Sequence, residues 1–264
     1  IKELSIDEIV NAGNEIFQLN DNVIKKAPVK LARPSESYFI NLKKIAEVRR
    51  IIKTENINIT HGHEYYPTIF WRLSAFFAGV KYRYITLHNM YYWWGSGVHF
   101  MQFLLSFITT IIVCNSESTM SFSLSKDRIN KKKYKVIYNG IDCNDFSPKQ
   151  ADKLSFFRKR NLPVKDIVFV SIGNISPRKG YETSIEAIQQ LRRDYESMIY
   201  FIVGGKHHQE TEEFDRLSKI IQKNNLEDTV IITGRSNEVR DYLKVCDIYL
   251  MPSVTEGFGI SLIE

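Results

Sequence analysis

The fold is decided by residues 167–205, which read IVFVSIGNISPRKGYETSIEAIQQLRRDYESMIYFIVGG. This stretch opens with a continuous apolar run of strand length, Ile167 to Ile172, and closes with a second one, Met198 to Val203. Between the two runs, Tyr181 to Leu191 carries apolar residues at helical spacing. Strands that are apolar on both faces and are joined through a helix are typical of a parallel sheet covered on both sides. Right-handed crossovers then predict a Rossmann-like unit.

The same alternation extends in both directions along the chain. Towards the C-terminus we expect a helix over Glu210 to Asn224 and a strand over Val230 to Thr233. A second helix over Val239 to Val245 and a second strand over Asp247 to Met251 should follow. In the first half we expect helices over Leu42 to Lys53, Thr68 to Phe77 and Val98 to Phe107, with strands over Ile57 to Thr60, Tyr82 to Leu87, Thr110 to Cys114 and Lys135 to Tyr138. A turn-rich stretch ends near Ser147-Pro148. The pattern predicts two α/β domains, 1–148 and 149–264, that face each other across a cleft.

Composition excludes several classes of protein. The 264 residues are 44% hydrophobic and 25% charged, as in an ordinary globular protein. Three widely spaced cysteines without a CxxC pair argue against a disulfide framework or a zinc site, and for a reducing, cytoplasmic location. The most apolar stretch, Val98 to Cys114, is short and interrupted by polar residues, so we predict a buried helix and strand rather than a membrane span. A net charge of +6 allows an anionic partner, but it is weak support for nucleic-acid binding.

The closing segment, residues 253–264, combines two carboxylates with two glycines. Glu256 and Glu264 stand eight positions apart, and the second is expected in the opening turns of a helix. Gly257 and Gly259 tolerate positive φ and let backbone N–H groups approach a ligand, and the helix N-terminus adds an anion site. The segment therefore suits a ligand with phosphate and sugar parts. An ordinary glycine-rich turn followed by a surface glutamate is the alternative.

A second anion-binding candidate follows the strand at Ile167 to Ile172. The residues Gly173 to Gly180 hold two adjacent cations, Arg178 and Lys179, where a helix is expected to begin. Basic residues at a helix N-terminus oppose the helix dipole unless an anion is bound. A proline-initiated helix with a solvated basic first turn remains the alternative. The spacing fits neither a Walker loop nor the GxGxxG of dinucleotide-binding folds.

Histidines follow two strands of the first half. His88 is expected at a strand end that faces the cleft, where it could hydrogen-bond a substrate hydroxyl or transfer a proton; a structural role is the alternative. His61, His63 and Glu64 are expected just beyond another strand end. They are weak evidence for a metal site without a further ligand, and we predict no bound metal.

Four segments of the chain resemble glycosyltransferase family 4, in register from about residue 40. The four segments are residues 59–63 with 86–88, residues 136–148, Gly173 to Gly180, and residues 246–264 with the Glu-x₇-Glu motif. The resemblance implies two Rossmann-like domains facing across a cleft (the GT-B fold), with a nucleoside-diphosphate sugar held mainly by the C-terminal domain. It also implies transfer with retention of anomeric configuration, without an enzyme nucleophile and usually without a metal or other cofactor.

The resemblance also implies roles for individual residues. Glu256, with the backbone of Gly257, Phe258 and Gly259, would hold the transferred sugar and the diphosphate, and Glu264 would accept from the ribose hydroxyls. Lys179 would neutralise the diphosphate as charge builds on the leaving group, and His88 would lie near the sugar and the acceptor. The remaining donor-binding positions that the family pattern implies are Gly173, Asn174 and Arg178.

This sequence departs from the family pattern in two ways. Asn174 stands where the family usually has an arginine, and Arg178, beside Lys179, is the residue that would partly replace that charge. The opening strand and glycine-rich loop of the N-terminal domain, and the family's closing helices, are not recognisable. We therefore expect a fragment of a longer protein. Whether such a folded fragment is active or inactive stays open.

The favoured function is a retaining hexosyltransferase of polysaccharide or glycoconjugate synthesis that acts on a glycan or a lipid-linked acceptor. A non-catalytic sugar-nucleotide-binding scaffold, motivated by Asn174, and a nucleotide-sugar epimerase of the same fold are the alternatives. The run Tyr91-Tyr92-Trp93-Trp94 is a candidate platform for a sugar or lipid, or part of the core. The chain has two groups of basic residues, which are Lys43, Lys44, Arg49, Arg50 and Lys53, and residues 131–133. They predict peripheral contact of the protein with the anionic inner face of a membrane. An ordinary solvated surface is the alternative.

Overall fold

The computed structural model describes residues 42–63, 66–91, 95–144, 146, 152–206 and 211–264. In the first half the elements are α1 (Leu42–Thr54), β1 (Ile59–His63), α2 (Tyr66–Ala78), β2 (Tyr82–Leu87), α3 (Ser96–Ser106), β3 (Ile111–Cys114), α4 (Glu117–Asp127) and β4 (Tyr134–Val136). In the second half they are α5 (Lys153–Lys159), β5 (Ile167–Ile172), α6 (Tyr181–Leu191), β6 (Met198–Val203), α7 (Thr211–Lys223), β7 (Val230–Gly234), α8 (Val239–Val245), β8 (Ile248–Tyr249) and α9 (Ile260–Ile263). Two 3₁₀ turns, Lys131–Lys133 and Pro177–Lys179, precede β4 and α6.

The strands form two separate four-stranded sheets, and every pairing is parallel. The first sheet has the order β1-β2-β3-β4, and the second has the order β7-β6-β5-β8. Because all strands of a sheet run the same way, the loops that follow them open at one edge. The predicted α/β class with two parallel sheets is confirmed. The predicted boundary at residues 148 and 149 lies outside the described residues.

The second sheet is covered on both faces, as its two-sided apolar strands predict. Tyr181, Ile185 and Ile188 of α6, with Leu217 and Ile221 of α7, pack on one face. Helices α5 and α8 cover the other face with four buried side chains, Phe156, Phe157, Tyr242 and Val245. All six residues of β6 are buried. Burial of apolar surface on both sides of one strand is what holds this domain together.

The described apolar side chains of the first half pack in two clusters. Ile85, Leu87 and Ile112 form the centre of one cluster, which Met120 and Leu124 of α4 cover. A second cluster joins α1 to α2 through Val48, Ile52 and Ala75, with Val80. Among the residues that the structure describes, no helix combines the length and apolar character needed to span a bilayer.

Several predicted elements differ from those observed. The strand expected over Ile57 to Thr60 runs from Ile59 to His63, so His61 and His63 lie within the strand rather than beyond it. The strand expected over Asp247 to Met251 pairs regularly only at Ile248–Tyr249. The Asp247 carboxylate accepts a hydrogen bond from Val168 N–H at 2.8 Å, and Pro252 lacks a donor to extend the pairing. Strand β4 ends at Val136, two residues before the end predicted.

Two helices were absent from the sequence prediction, and both have a physical reason. Helix α4 begins after Ser116, whose hydroxyl accepts from Thr119 N–H, and it buries Thr119, Ser123 and Asp127. A helix with a polar inner face lacks the apolar stripe on which the prediction depends. Helix α5 has only seven residues, capped by Asp152 and anchored by two buried phenylalanines.

At the carboxyl edge of the second sheet, the backbones of Gly204 and Gly173 are in close contact. A Cβ at Gly204 would lie 1.8 Å from the Gly173 carbonyl oxygen, so one of the two loops would have to move. We expect Gly204→Ala to destabilise the chain by about 1–3 kcal/mol, since overpacking against backbone cannot relax by side-chain rotation. Urea unfolding followed by circular dichroism measures this. Gly97→Ala is the matched control, because Gly97 lies in α3 with open space around it and should be neutral or slightly stabilised. Equal stability of the two variants would contradict the contact.

Candidate functional site

Two loops at the carboxyl edge of the second sheet lie side by side. Gly180 has φ +65°, and a Cβ there would lie 2.3 Å from the Pro252 carbonyl oxygen. Beside this contact, Val254 N–H donates to the Arg178 carbonyl oxygen at 2.9 Å. The loop that follows β5 and the loop that follows β8 are therefore locked together through their backbones. Two segments that are 77 residues apart in sequence thus become one surface.

The locked loops bring Glu256 against the two cations that the sequence singles out. Lys179 Nζ donates to Glu256 Oε1 at 2.7 Å, and Arg178 Nη1 contacts Glu256 Oε2 at 3.4 Å and Thr255 O at 3.0 Å. The side chains of Lys179 and Glu256 are only 15% and 19% exposed. Arg178 and Lys179 lie on the 3₁₀ turn directly before α6, Gly180 is the N-cap residue of that helix, and the helix begins at Tyr181 as predicted.

This contact keeps Glu256 ionised. Burial opposes its ionisation, but the hydrogen bond from Lys179 and the charges of Lys179 and Arg178 outweigh burial and lower the pKa of Glu256 below the ordinary 4.5. The contact contributes its full share to the free energy of unfolding above pH 4.5, the ordinary pKa. That contribution is lost as the pH falls through the lowered pKa of the folded chain. At neutral pH the carboxylate is therefore an acceptor for cations or hydroxyls.

Gly173 makes room for the head of Lys179. Its φ of +150° places a virtual Cβ 2.9 Å from Lys179 Cε and 3.1 Å from Nζ. The Gly173 carbonyl oxygen accepts a hydrogen bond from the Tyr181 hydroxyl at 2.8 Å, which fixes the loop. Asn174 is exposed beside it, on the same loop as Lys179.

The second carboxylate of the closing segment lies on the same side of the sheet. Gly259, with φ +78°, begins the one-turn helix α9, and Glu264 ends it, half-buried. Burial raises the pKa of Tyr249, and the charges of Glu264 and Glu256 raise it further. The charges of both carboxylates therefore reach the same phenol.

The two sheets meet at Gly257. A Cβ at Gly257 would lie 2.0 Å from the His88 carbonyl oxygen. The Gly257 carbonyl oxygen accepts hydrogen bonds from Ser116 Oγ at 2.5 Å and from Thr119 Oγ1 at 3.3 Å, both at the start of α4. Next to this contact, Asn115 Nδ2 donates to the His88 carbonyl oxygen at 2.7 Å. The Phe258 ring lies 6.1 Å from that of Tyr138 in the first domain. The glycine-bearing loop thus docks on the strand end that carries His88.

The docking residues were missed by the sequence analysis. Asn115 and Ser116 directly follow β3 at the same edge as His88, so the rule that directs attention to strand ends applies to them too. Their residue types gave no signal, because Asn and Ser are ordinary helix caps.

Three histidines cluster on the first sheet beside this junction. His63 Nδ1 lies 2.9 Å from His88 Nε2, and His61 Nε2 lies 2.7 Å from Thr86 Oγ1. The His61 and His63 rings are 4.6 Å apart. Displacement of water from around His61 lowers its pKa to about 4, with His63 and His88 adding to the effect, so His61 is neutral at physiological pH. No group of three potential ligands in the described part of the chain could hold a metal ion, and Glu64 lies outside that part.

A cavity of about 350 Å³ lies beside His61 and His63. Its walls include His61, His63, Trp71 and Arg72, so it belongs to the first domain and not to the Glu256 cluster. The described residues thus offer a charged group with close backbone approach on one domain, and imidazoles with a cavity on the other. Such an arrangement suits an anionic, hydroxyl-rich ligand held between the two sheets.

Comparisons with known proteins agree with this description. Residues 9–145 match the family model Glycosyltransferase Family 4, and residues 152–264 match the model Glycosyl transferases group 1.

Relatives with assigned activities are similar over nearly the whole chain. The O-antigen biosynthesis glycosyltransferase WclY of Escherichia coli is 26% identical, over 98% of this chain and 70% of its own length. The UDP-Gal:alpha-D-GlcNAc-diphosphoundecaprenol alpha-1,3-galactosyltransferase of Escherichia coli is 21% identical, over 100% of this chain and 73% of its own. Among solved structures, HepE of Anabaena in complex with UDP and glucose aligns with a TM-score of 0.75 at 18% identity, over 83% of this chain and 59% of its own. The chain thus spans about three fifths of that solved structure.

The contact between Lys179 and Glu256 generates a prediction on charge. We expect Lys179→Met to raise the pKa of Glu256, because the burial that opposes ionisation remains while its main compensating cation is lost. An NMR titration of the Glu256 carboxyl carbon measures the shift. Lys153→Met is the matched control, since Lys153 pairs with Asp247 at 2.6 Å and not with Glu256. An unchanged Glu256 pKa in Lys179→Met would mean that the two groups are apart in solution.

Proposed function

Because the chain belongs to glycosyltransferase family 4, we propose that it transfers a hexosyl group from a nucleoside-diphosphate sugar to a glycan or lipid-linked acceptor, with retention of anomeric configuration. The observation that carries the proposal is the cluster of Lys179, Arg178 and Glu256, which packs against Gly173 and directly precedes Gly257, where the backbone contacts the His88 carbonyl oxygen. It combines two cations for a diphosphate with one carboxylate for sugar hydroxyls. The names of the relatives support a place in polysaccharide or glycoconjugate synthesis.

The donor would bind mainly to the second domain. Lys179 and Arg178 would take the diphosphate as charge-assisted donors, in the way that bound cations stabilise a leaving group. To do so, Lys179 must exchange part of its contact with Glu256 for the phosphate oxygens. Glu256 is then released to accept from hydroxyls of the transferred sugar, and the backbone of Gly257, Phe258 and Gly259 would approach the same group.

Further residues would complete the donor site. Glu264 would accept from the ribose hydroxyls, and the exposed Asn174 leaves Arg178 as the second cation of the loop. The cationic side chains Lys179 and Arg178 supply the counter-charge to the diphosphate, so we propose no resident metal or other cofactor. A uridine nucleotide is the first choice for assays, since UDP and glucose occupy the solved relative.

The acceptor would approach from the first domain. His88 lies where the loop of Gly257 meets the first sheet, so a hydroxyl between the domains would reach both His88 and the transferred sugar. The cavity beside His61 and His63 is the candidate entry for the acceptor. The aromatic residues 92–94, expected as a platform, lie outside the described residues, while Tyr91 is buried in the core.

Donor binding and transfer test this proposal. In a panel of UDP-, GDP- and ADP-sugars, we expect one donor to bind and to be consumed. Glu256→Ala and Lys179→Ala should lower kcat by about 10²–10³-fold, because the first removes the acceptor for the sugar hydroxyls and the second removes the cation that stabilises the leaving diphosphate. Calorimetry and product detection measure the two steps, with Lys153→Ala as the matched control on the other edge of the sheet.

The outcomes separate the alternatives. Nucleotide binding without turnover on any acceptor would favour a sugar-nucleotide-binding scaffold. Release of an epimerised sugar nucleotide would favour an epimerase. Failure of the chain to bind any nucleotide would contradict the proposal altogether.

Peripheral contact with the anionic inner face of a membrane is the second part of the proposal, and helix α3 supports it. Phe100, Leu104 and Phe107 follow one another at helical spacing and are 61%, 44% and 69% exposed. An apolar stripe of this kind on a helix surface is typical of interfacial helices. Phe76 and Phe77, at the end of α2, are exposed as well.

Basic side chains lie beside Phe76 and Phe77, the exposed aromatic residues of α2. The Arg83 guanidinium lies 5.6 Å from the centre of the Phe76 ring and donates to the Ile108 carbonyl oxygen. Lys133 Nζ donates to the Thr109 carbonyl oxygen at 2.8 Å, and Arg49 Nε donates to that of Phe77 at 3.1 Å. Arg49, one of the basic residues of α1, therefore lies beside Phe77, and Lys133 lies against the turn that follows α3. The side chain of Lys44 lies outside the described residues. The combination favours an anionic lipid surface, as a lipid-linked acceptor would require.

Vesicle sedimentation tests the membrane surface. We expect binding to anionic vesicles but little to neutral ones, and Phe100→Ser with Phe107→Ser should weaken binding roughly tenfold per residue, as the burial energy of one aromatic side chain predicts. Leu154→Ser is the control, since Leu154 is an exposed apolar residue on the other domain. Equal binding by all variants would exclude α3 from the contact.

A further inference from the structure

We propose that His63 is a positioning residue for His88: it accepts a hydrogen bond from His88 Nε2–H and thereby leaves His88 Nδ1 as a bare acceptor for a substrate hydroxyl. The inference rests on the proposed function for the identity of the substrate. The arrangement of the two imidazoles does not depend on it.

The register of the first sheet brings the two rings together. His61 and His63 are two residues apart on β1, so their side chains lie on one face of the strand. His63 pairs with Thr86 of β2, and His88 follows two residues after Thr86. A Cβ at Gly62 would lie 2.5 Å from Thr68 Cγ2, so the strand is held closely against α2 at this point. The position of His63 is therefore set by backbone pairing and packing.

The rings are joined edge to edge. His63 Nδ1 and His88 Nε2 are 2.9 Å apart, a hydrogen-bond distance. The ring centroids are 5.2 Å apart and the planes differ by 18°. The centroid separation is about the N···N distance plus one ring radius on each side. The two nitrogens therefore lie on the line that joins the centroids, and the two rings are nearly coplanar. A face-to-face stack would bring the centroids much closer than this.

Counting protons then selects the tautomer. Only one hydrogen atom fits between the two nitrogens, so one ring donates and the other accepts. When both rings are neutral and each carries its proton on Nε2, the Nε2–H of His88 can donate to the bare Nδ1 of His63. Nε2–H is also the tautomer that histidine side chains prefer in water. His88 Nε2–H then donates to His63 Nδ1, and His88 Nδ1 carries no hydrogen. With Asn115 holding the His88 carbonyl oxygen, both the ring and the backbone of His88 are oriented.

His61 serves as an internal comparison. It lies on the same strand face, but its Nε2 contacts Thr86 and not His88. Its low pKa keeps it neutral, so it adds no charge beside the pair at physiological pH. A substitution at His61 therefore perturbs the same strand without touching the hydrogen bond in question.

Nitrogen-detected NMR of the histidine side chains tests the assignment without any substrate. We expect His88 to be in the Nε2–H form in the natural chain and in His63→Asn, whose amide oxygen can accept the same hydrogen bond. His63→Leu should give a mixture of both tautomers at His88, and His61→Gln should leave His88 unchanged. A pure Nε2–H form of His88 in His63→Leu, or a pure Nδ1–H form in the natural chain, would overturn the proposal.

Kinetics add the functional readout. With the donor found in the nucleotide panel, His63→Leu should lower kcat roughly tenfold or more, as expected when a proton-transfer group is misoriented. The donor Kd should stay unchanged, and His63→Asn should restore most of the activity. A changed donor Kd with unchanged kcat would overturn a positioning role. Absence of turnover in the natural chain, with the tautomer result intact, would instead count against the proposed function alone.

Discussion

The site depends on one close contact, the approach of the Gly257 backbone to the carbonyl oxygen of His88. Only a residue without a Cβ fits there, and hydroxyls of the opposite domain hold its carbonyl oxygen. This contact brings the loop of Glu256 on the second sheet to the histidines of the first. Each domain alone carries half of the candidate site: cations and carboxylates on one, imidazoles and a cavity on the other.

Electrostatics complement this geometry. Glu256 and Lys179 are mostly shielded from water, and each satisfies the other at 2.7 Å. A buried charge without a partner is costly, so the pair is stable until another charged group replaces one member. An anionic, hydroxyl-bearing ligand offers both replacements at once, since phosphate oxygens suit Lys179 and hydroxyls suit Glu256. The same contact therefore stabilises the unliganded site and favours a ligand with both chemical groups.

Prediction from sequence succeeded where burial is two-sided and failed where polar residues carry the packing. Strands β5 and β6 were predicted with their observed limits, because an uninterrupted apolar run that stops at a glycine is typical of a fully buried strand and too short for a helix. Helix α4 was missed because the side chains that it buries are polar. The pairing of β8 was overestimated because the Asp247 carboxylate replaces a backbone acceptor. For the candidate site, the sequence predicted roles for Glu256, Lys179 and His88, but it offered no signal for Asn115, Ser116 or the contact of His63 with His88.

By itself, the sequence determined the α/β class, the parallel sheets and the residue types that a phosphate-and-sugar ligand needs, because apolar periodicity and glycine spacing are local properties of the chain. Only the tertiary structure decided which of those residues meet. Lys179 reaches Glu256 across 77 positions and His63 reaches His88 across 25, and these distances depend on strand register and on the packing of glycines against distant carbonyl groups. Register and close packing are set jointly by all elements of a sheet, so no short stretch of sequence encodes them.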